Sequence, residues 1–366
     1  METVGNGAIG TIDTIQVKVL YNGKNISEEI TKYITSLKYT DNTEGASDSI
    51  EIVVEDVDGL WKNGWYPEKG AELTVSIGKN NVYLDCGVFA IDKIQASGPP
   101  DTVSINGIGA GLNGQVRTKV STAHANKTLL QIAQTIAKKN GLTVQGTVLP
   151  IVIERTTQHD ETDLHFLNRI AKEYGYLFSV RGKKLVFLSM YDLEELDSKF
   201  SLDKKDIMNY DLSDDTLKTY SKIEVKYHNP KTAQVSTYVE TVKNKDGVPF
   251  TYIKSADTLT VHTKAENEQQ AKAKGQAALY RANSLQQEGS ISAQGNPYTC
   301  AGNNFELTGL GLFSGVYHIM KSEHSVDRSG GWTVDVEIKK VGFVIKEKQK
   351  STKKRKPAKF TTTVVK

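Results

Sequence analysis

Several groups of residues in this chain carry side chains or backbone suited to chemistry. Gly109-Ala-Gly111-Leu-Asn-Gly114 has the spacing of a dinucleotide-binding turn, in which glycines let the backbone approach a pyrophosphate. Gln115–Val120 lacks an amphipathic helical pattern, and no acidic residue lies between Asp101 and Glu154 to take a ribose hydroxyl, so a junction between domains is expected there. His159, Asp160, Glu161, Asp163 and His165 are metal-ligand types. They fall at a predicted helix start, where the dipole favours carboxylates in any case, and Asp163 and His165 would point to different faces of that helix. His318 and His324, six apart, could project to one face of a strand, with packing rather than ligation the expected role. Cys86 and Cys300 have no CxxC companion and read as a buried, reduced pair of small hydrophobes.

No Gly-x-Ser-x-Gly elbow, HExxH or Walker loop occurs, and neither cysteine has a local catalytic signature. The expectation is no catalytic residue, no cofactor, no metal and no enzymatic activity. Paired carboxylates able to cleave glycans leave one enzymatic alternative, a peptidoglycan hydrolase. A free-standing β-rich binding module is the alternative from a third class.

The most informative element spans Gln158–Arg181. Thr162 is placed to cap a helix, Asp163 lies in its first turn, and Gly175 supplies a left-handed exit. Leu164, Leu167, Ile170, Ala171 and Tyr174 make one apolar stripe. A strand, Tyr176–Val180, follows directly, with a hairpin partner at Lys184–Ser189 and a turn at Arg181-Gly182-Lys183.

Alternating segments at Thr14–Tyr21, Ile34–Asp41, Ser49–Glu55, Ala71–Gly78, Asn81–Gln95 and Asp101–Gly107 predict a small barrel or sandwich, with an irregularity near Asp85-Cys86-Gly87. Lys127–Lys139 predicts a helix with Leu129, Ile132, Ala133 and Ile136 inward. Strands resume at Tyr220–Tyr227, Gln234–Glu240 and Thr258–His262, and an alanine-rich helix covers about Ala265–Asn283. Ser290–Gln294, Asn304–Leu310, Gly315–Ser322 and Gly331–Lys340 form a last strand set, and Thr241–Pro249 reads as a hairpin tip. The fold class is therefore mainly β, with an α+β middle unit.

With 366 residues and 38% hydrophobic side chains, the chain can supply more than one core. The net charge of +3 conceals a split: Lys346–Lys359 carries roughly +7, which leaves the rest at about −4. Attraction to phosphate would reside in that tail alone, so nucleic acid is the least favoured partner. The tail fits a solvated end or a contact with an acidic neighbour through Lys353, Lys354, Arg355 and Lys356, and Phe360–Val365 is β-prone. Met1–Gly10 is polar and no run approaches ~18 apolar residues, so neither an export signal nor a membrane anchor is expected.

The middle motif resembles the helix–hairpin of the late-control D, or baseplate tail-hub, family of contractile-tailed phages and phage tail-like bacteriocins, related to the hub part of type VI secretion spike proteins. Within it, Thr162, Asp163, Phe166, Arg169 and Gly175 stand as the structural motif residues. Gly87–Ile105 looks like the closing hairpin of that family's first barrel, and Gly295-Asn-Pro-Tyr, Gly315–Ser325 and Gly330-Gly-Trp-Thr-Val like its last. The likeness runs in order across about residues 12–342.

The resemblance implies two small β-barrel tube-like domains flanking a helix–hairpin domain. Residues 1–115 would be the first barrel, 116–202 the helix–hairpin, 203–345 the second barrel with an inserted helix near 265–283, and 346–366 a basic tail. It further implies a homotrimer acting as a symmetry adaptor between a six-fold tail tube and a three-fold spike. Its partners would be the tail tube protein, a separate spike protein and other baseplate proteins, with the tape measure protein as a further candidate. The chain would be made in the bacterial cytoplasm and assembled into the baseplate of a virion or tail-like particle. No barrel-to-barrel similarity stands out in the sequence. After Val341 only Gly-Phe-Val-Ile and the lysine-rich tail remain, so the spike is expected to be a separate protein.

Overall fold

The computed structural model describes residues 15–43, 47–109, 118–194, 196–215, 219–229, 234–241, 257–329 and 331–341. Gly111–Gly114, residues 242–249 of the expected hairpin tip and the basic tail lie outside them. The first section holds β1 (Ile15–Tyr21), β2 (Lys24–Asn25), α1 (Ser27–Thr31), β3 (Ile34–Asn42), β4 (Ser49–Glu55), β5 (Glu72–Lys79), β6 (Val82–Ser97) and β7 (Thr102–Gly109). Their inward alternation is clear in β4, where Ile50, Ile52 and Val54 are buried. The irregularity expected near Cys86 is a bulge: Val75 faces Gly87 while Ser76 faces Asp85, leaving Cys86 unopposed.

The middle section holds β8 (Lys119–Thr128), α2 (Leu129–Lys139), β9 (Thr143–Gln145), β10 (Val152–Thr162), α3 (Asp163–Glu173), β11 (Tyr176–Arg181), β12 (Lys184–Ser189) and α4 (Met190–Glu194). Thr128 and Gln131 close a reciprocal capping box that starts α2. Both helices bury their apolar faces in one core with Phe178, Leu185 and Phe187 of the hairpin. The antiparallel pair β8–β10 was not legible in sequence, because its polar, alanine- and threonine-rich strands carry little alternation.

The last section holds β13 (Ser198–Asp203), β14 (Ile207–Asp214), β15 (Lys222–Asn229), β16 (Gln234–Thr241), β17 (Thr258–Lys264), α5 (Glu268–Ser284), β18 (Gln287–Gln294), β19 (Asn304–Thr308), β20 (Gly315–Asp327) and β21 (Gly331–Lys340). β16, β15 and β17 form a separate three-stranded sheet whose Ile223 and Val225 pack with Ala271 and Leu279 of α5.

The first and last sections share one 13-stranded sheet, and within it a six-strand pattern occurs twice. The first copy runs β3-β4-β7-β6-β5-β1 across the sheet, and the second runs β14-β18-β21-β20-β19-β13. Registers coincide as well: Ile91 faces Gly107 where Ile319 faces Ile338, and Ile52 faces Ile105 where Ile291 faces Val336. Bulges fall at equivalent residues, Thr35 and Met208 in the one strand, Asp92 and Met320 in the other. The matched strands read Gly87-Val-Phe-Ala-Ile-Asp-Lys93 against Gly315-Val-Tyr-His-Ile-Met-Lys321. Both glycines have positive φ, and Phe89 and Tyr317 are fully buried.

The two copies differ in the direction of the sixth strand, β1 lying antiparallel to β5 and β13 parallel to β19, and at one hairpin tip. Six residues join β3 to β4, whereas the whole β15–β17 and α5 layer lies between β14 and β18. The copies also meet: residues 321–327 of β20, past the Met320 bulge, pair antiparallel with residues 36–42 of β3.

Since Ile91 and Ile319 occupy equivalent core positions, each truncation to alanine is expected to lower stability by about 2–5 kcal/mol. Urea unfolding followed by fluorescence checks both. A loss below 1 kcal/mol at either position would contradict the packing described.

Candidate assembly site at the junction of three segments

The start of α3 is built around a buried carboxylate. Thr162 Oγ1 accepts from the His165 N–H at 3.2 Å, which caps the helix. Asp163 is 1% exposed. It accepts from Gln158 Nε2 at 3.0 Å, Asn140 Nδ2 at 3.0 Å and Lys139 Nζ at 3.1 Å, which ties α3 to the end of α2. Burial pushes this carboxyl up, yet the hydrogen bonds from Gln158, Asn140 and Lys139 prevail and hold it below the usual carboxylate range. Phe166, fully buried though absent from the expected stripe, stacks on His124 of β8 at 5.2 Å between ring centroids. Leu164 of that stripe is only partly buried. Arg169 lies over the Phe166 ring, donates to the Thr157 carbonyl at 3.1 Å and pairs with Glu161.

The sequence predicts a helix start for residues 159–161, but they form the end of β10, and a bulge there gives Asp160 a φ of 46°. The would-be ligands separate accordingly. Asp160 pairs with Lys119 at 3.3 Å, Glu161 with His165 at 2.9 Å and with Arg169, and Asp163 turns inward. His318 and His324 are also parted. The single-residue bulge at Met320 reverses the alternation, so His318 sits opposite Lys339 and His324 opposite Val334, on different faces of the sheet.

α3 leads through Gly175, whose φ is +82°; a Cβ there would stand 2.9 Å from Met190 Cε. β11 then carries Arg181 to the hairpin turn and out of the middle section. Its Nη2 donates to Asp41 Oδ1 of β3 at 2.9 Å and to the Ala301 carbonyl at 3.2 Å, while Asp41 Oδ2 accepts from the Ala301 N–H at 3.0 Å. One guanidinium thus joins the first, middle and last sections. Asp48 accepts from the Asn42 N–H at 3.1 Å and faces Asp41. Burial pushes both carboxyls up; Arg181 and the Ala301 N–H oppose this at Asp41, and at Asp48 the neighbouring Asp41 adds to it, bringing the group to about 7.

Further ties secure the middle section. Asn304 Nδ2 donates to the carbonyls of Leu193 at 3.0 Å and Leu196 at 3.2 Å, and its Oδ1 meets His318 Nδ1 at 2.8 Å. From α5, Gln270 Nε2 donates to the Val152 carbonyl at 2.7 Å and Lys274 pairs with Glu173 at 3.0 Å. The arrangement positions rigid sections against one another and gathers no nucleophile beside a base.

Sequence reading missed Asp41, Asp48, Arg181 and Asn304. One signal was available: Leu37, Tyr39 and Asp41 share the inward parity of β3, so an acid stood in a core position. Arg181 read only as a turn residue. Lys353, Lys354, Arg355 and Lys356 lie outside the described residues.

A family model described as phage tail baseplate hub (GPD) matches residues 116–330. The probable baseplate hub protein of Escherichia phage 186 is 31% identical over 170 residues, covering 46% of this chain and 43% of that protein. The chain thus aligns with less than half the length of this relative. Among solved structures, the 43 kDa tail protein of prophage MuSo2 from Shewanella oneidensis superposes with a TM-score of 0.65 at 17% identity, covering 89% of this chain and 98% of that one. An E. coli type VI secretion system component, structurally similar to T4 tail proteins, gives 0.53 at 9% identity over 92% and 76%. Likenesses at these identities concern the fold.

The facing carboxyls make stability depend on pH. The pair keeps a proton in the folded chain that the unfolded chain releases above about pH 4, so its contribution is fully present in acid and is lost as pH rises to about 7. The thermal midpoint is expected to fall from pH 5 to 8, and Asp48→Asn to flatten that decline and be the more stable at pH 8. Parallel profiles would contradict the assignment. Asp163→Ala, which strands Gln158 and Asn140, is expected to cost about 1–3 kcal/mol in urea unfolding at neutral pH.

Proposed function

Because the chain belongs to the phage tail baseplate hub (GPD) family, we propose that it is the central hub of a contractile injection machine, a trimeric symmetry adaptor between the six-fold tail tube and the three-fold spike. It is a structural component and not an enzyme. The observation that carries the adaptor reading is the internal repeat: two copies of one six-strand pattern, with bulges at equivalent residues, in a single sheet. Three chains would present six near-equivalent β units to a six-fold tube while the whole chain repeats only three times around the axis.

On this reading residues 1–115 and 203–345 are the two barrel-like hub domains, the latter with its inserted layer and helix, and residues 116–202 are the helix–hairpin domain, whose final strand β13 pairs with β19 and packs on the second barrel's core. Supporting the division, the core of Ile132, Phe166, Leu185 and Phe187 is built within the middle section, and that of Ile291, Phe305, Tyr317 and Ile338 within the last. Its partners would be the tail tube protein, a separate spike protein and other baseplate proteins, with the tape measure protein as a further candidate. After synthesis in the bacterial cytoplasm the chain would join the baseplate of the particle. The basic tail, through Lys353, Lys354, Arg355 and Lys356, would touch an acidic face of the spike or a baseplate neighbour.

Light scattering on the purified chain, alone and with the spike protein of the same particle, is expected to give a three-chain mass in at least one sample. A monomer in both would sink the adaptor reading. Removal of residues 346–366 is expected to weaken spike or baseplate binding and to reduce its salt dependence; unchanged binding would clear the tail of that role.

A further inference from the structure

We infer, building on the trimeric hub reading above, that neighbouring copies join by a strand pair whose register the internal repeat dictates: residues 94–97 of β6 in one copy lie antiparallel to residues 211–214 of β14 in the next. Inside each chain the second repeat already grips the first in this manner. Past its bulge at Met320, β20 pairs on its second edge with β3, Ser322 facing Asp41, His324 facing Tyr39 and Ser325 facing Lys38. The strand equivalent to β20 is β6, with its bulge at Asp92, and the strand equivalent to β3 is β14, with its bulge at Met208. Both lack the corresponding partner among the described residues: β6 beyond Asp92 pairs only with β7, and β14 pairs only with β18. Each chain therefore offers two complementary strand edges, and the joint that would satisfy one satisfies the other.

Transferring the register residue by residue places Ile94 opposite Asp214, Gln95 opposite Ser213, Ala96 opposite Leu212 and Ser97 opposite Asp211. The faces then agree. Ile94 packs on the first core and Leu212 on the last, so Ile94, Ala96, Tyr210, Leu212 and Asp214, whose carboxylate accepts from Gln286 and Gln287 within its own chain, would line the inner face, while Gln95, Ser97, Asp211 and Ser213 would line the outer one. Exposure fits an unfilled edge. Residues 92–97 are exposed apart from half-buried Ile94, and Met208 and Tyr210 of β14 are 63% and 43% exposed. β14 carries neither lysine nor proline, the residues that usually blunt an open edge, whereas the opposite end of the sheet closes with the two-residue β2. Charge is complementary on the outer face, with Lys93 on one strand and Asp211 on the other. The contact is heterologous, edge to different edge, which is the kind that closes into a ring.

Disulfide trapping tests the register. Chains carrying Ser97→Cys and chains carrying Asp211→Cys, both exposed positions, are mixed and oxidised; Gln95→Cys with Ser213→Cys provides a second exposed pair. A covalent dimer is expected in each mixture and in neither single variant alone, and a chain with both Ser97→Cys and Asp211→Cys is expected to give a ladder ending at three chains. Cys86 and Cys300 are buried and should not interfere. A three-chain particle by light scattering in which neither pair cross-links would overturn this joint and leave the hub reading standing. A monomer both alone and with the spike protein would remove the hub reading and the joint together.

Discussion

The antiparallel pairing of β20 with β3 is the interaction on which the remaining architecture depends. Without it the chain would hold two separate six-strand units; with it, their orientation is fixed by backbone hydrogen bonds across residues 36–42 and 321–327. The Met320 bulge makes this possible, because it lets one long strand serve β19 with its first half and β3 with its second. Arg181 is then placed over the join by the helix–hairpin, so the middle section reports to the seam and not to one repeat alone.

The seam is polar where a core would ordinarily be apolar. Asp41, Ser322 and His324 are buried on a face that continues into two hydrophobic clusters. Two facing carboxyls and one guanidinium contribute little net stability, since desolvation offsets much of their attraction. Their value is selectivity: another arrangement of the three sections would leave Asp41 buried without the Arg181 guanidinium and the Ala301 N–H. Asp163 does the same inside the middle section, where Gln158, Asn140 and Lys139 leave it one acceptable setting.

Much of this was legible in the residues. Strong alternation marked β4 and β5, the apolar spacing marked α2 and α3, and the irregularity at Cys86 was visible from its glycine neighbour. What failed depended on partners distant in sequence. β8 and β10 are polar strands held by each other and by the helices, and the faces of His318 and His324 were decided by one extra residue that no local pattern announces. The repeat itself was hidden because register and bulge position carry it, with few identities: Ile34-Thr-Ser-Leu-Lys-Tyr-Thr-Asp41 and Ile207-Met-Asn-Tyr-Asp-Leu-Ser-Asp214 keep only isoleucine at the start and aspartate at the end.

The unequal hairpin tips have a consequence of their own. Between β3 and β4 the chain turns in six residues, but between β14 and β18 it detours through a complete sheet-and-helix layer with its own core. Around the proposed ring of three chains, bare and loaded tips would alternate, so a feature inserted once per chain would double the angular period of that surface. An approaching partner would meet six similar strands at one level and three outgrowths at another, and the change of periodicity needs no distortion of the sheet beneath.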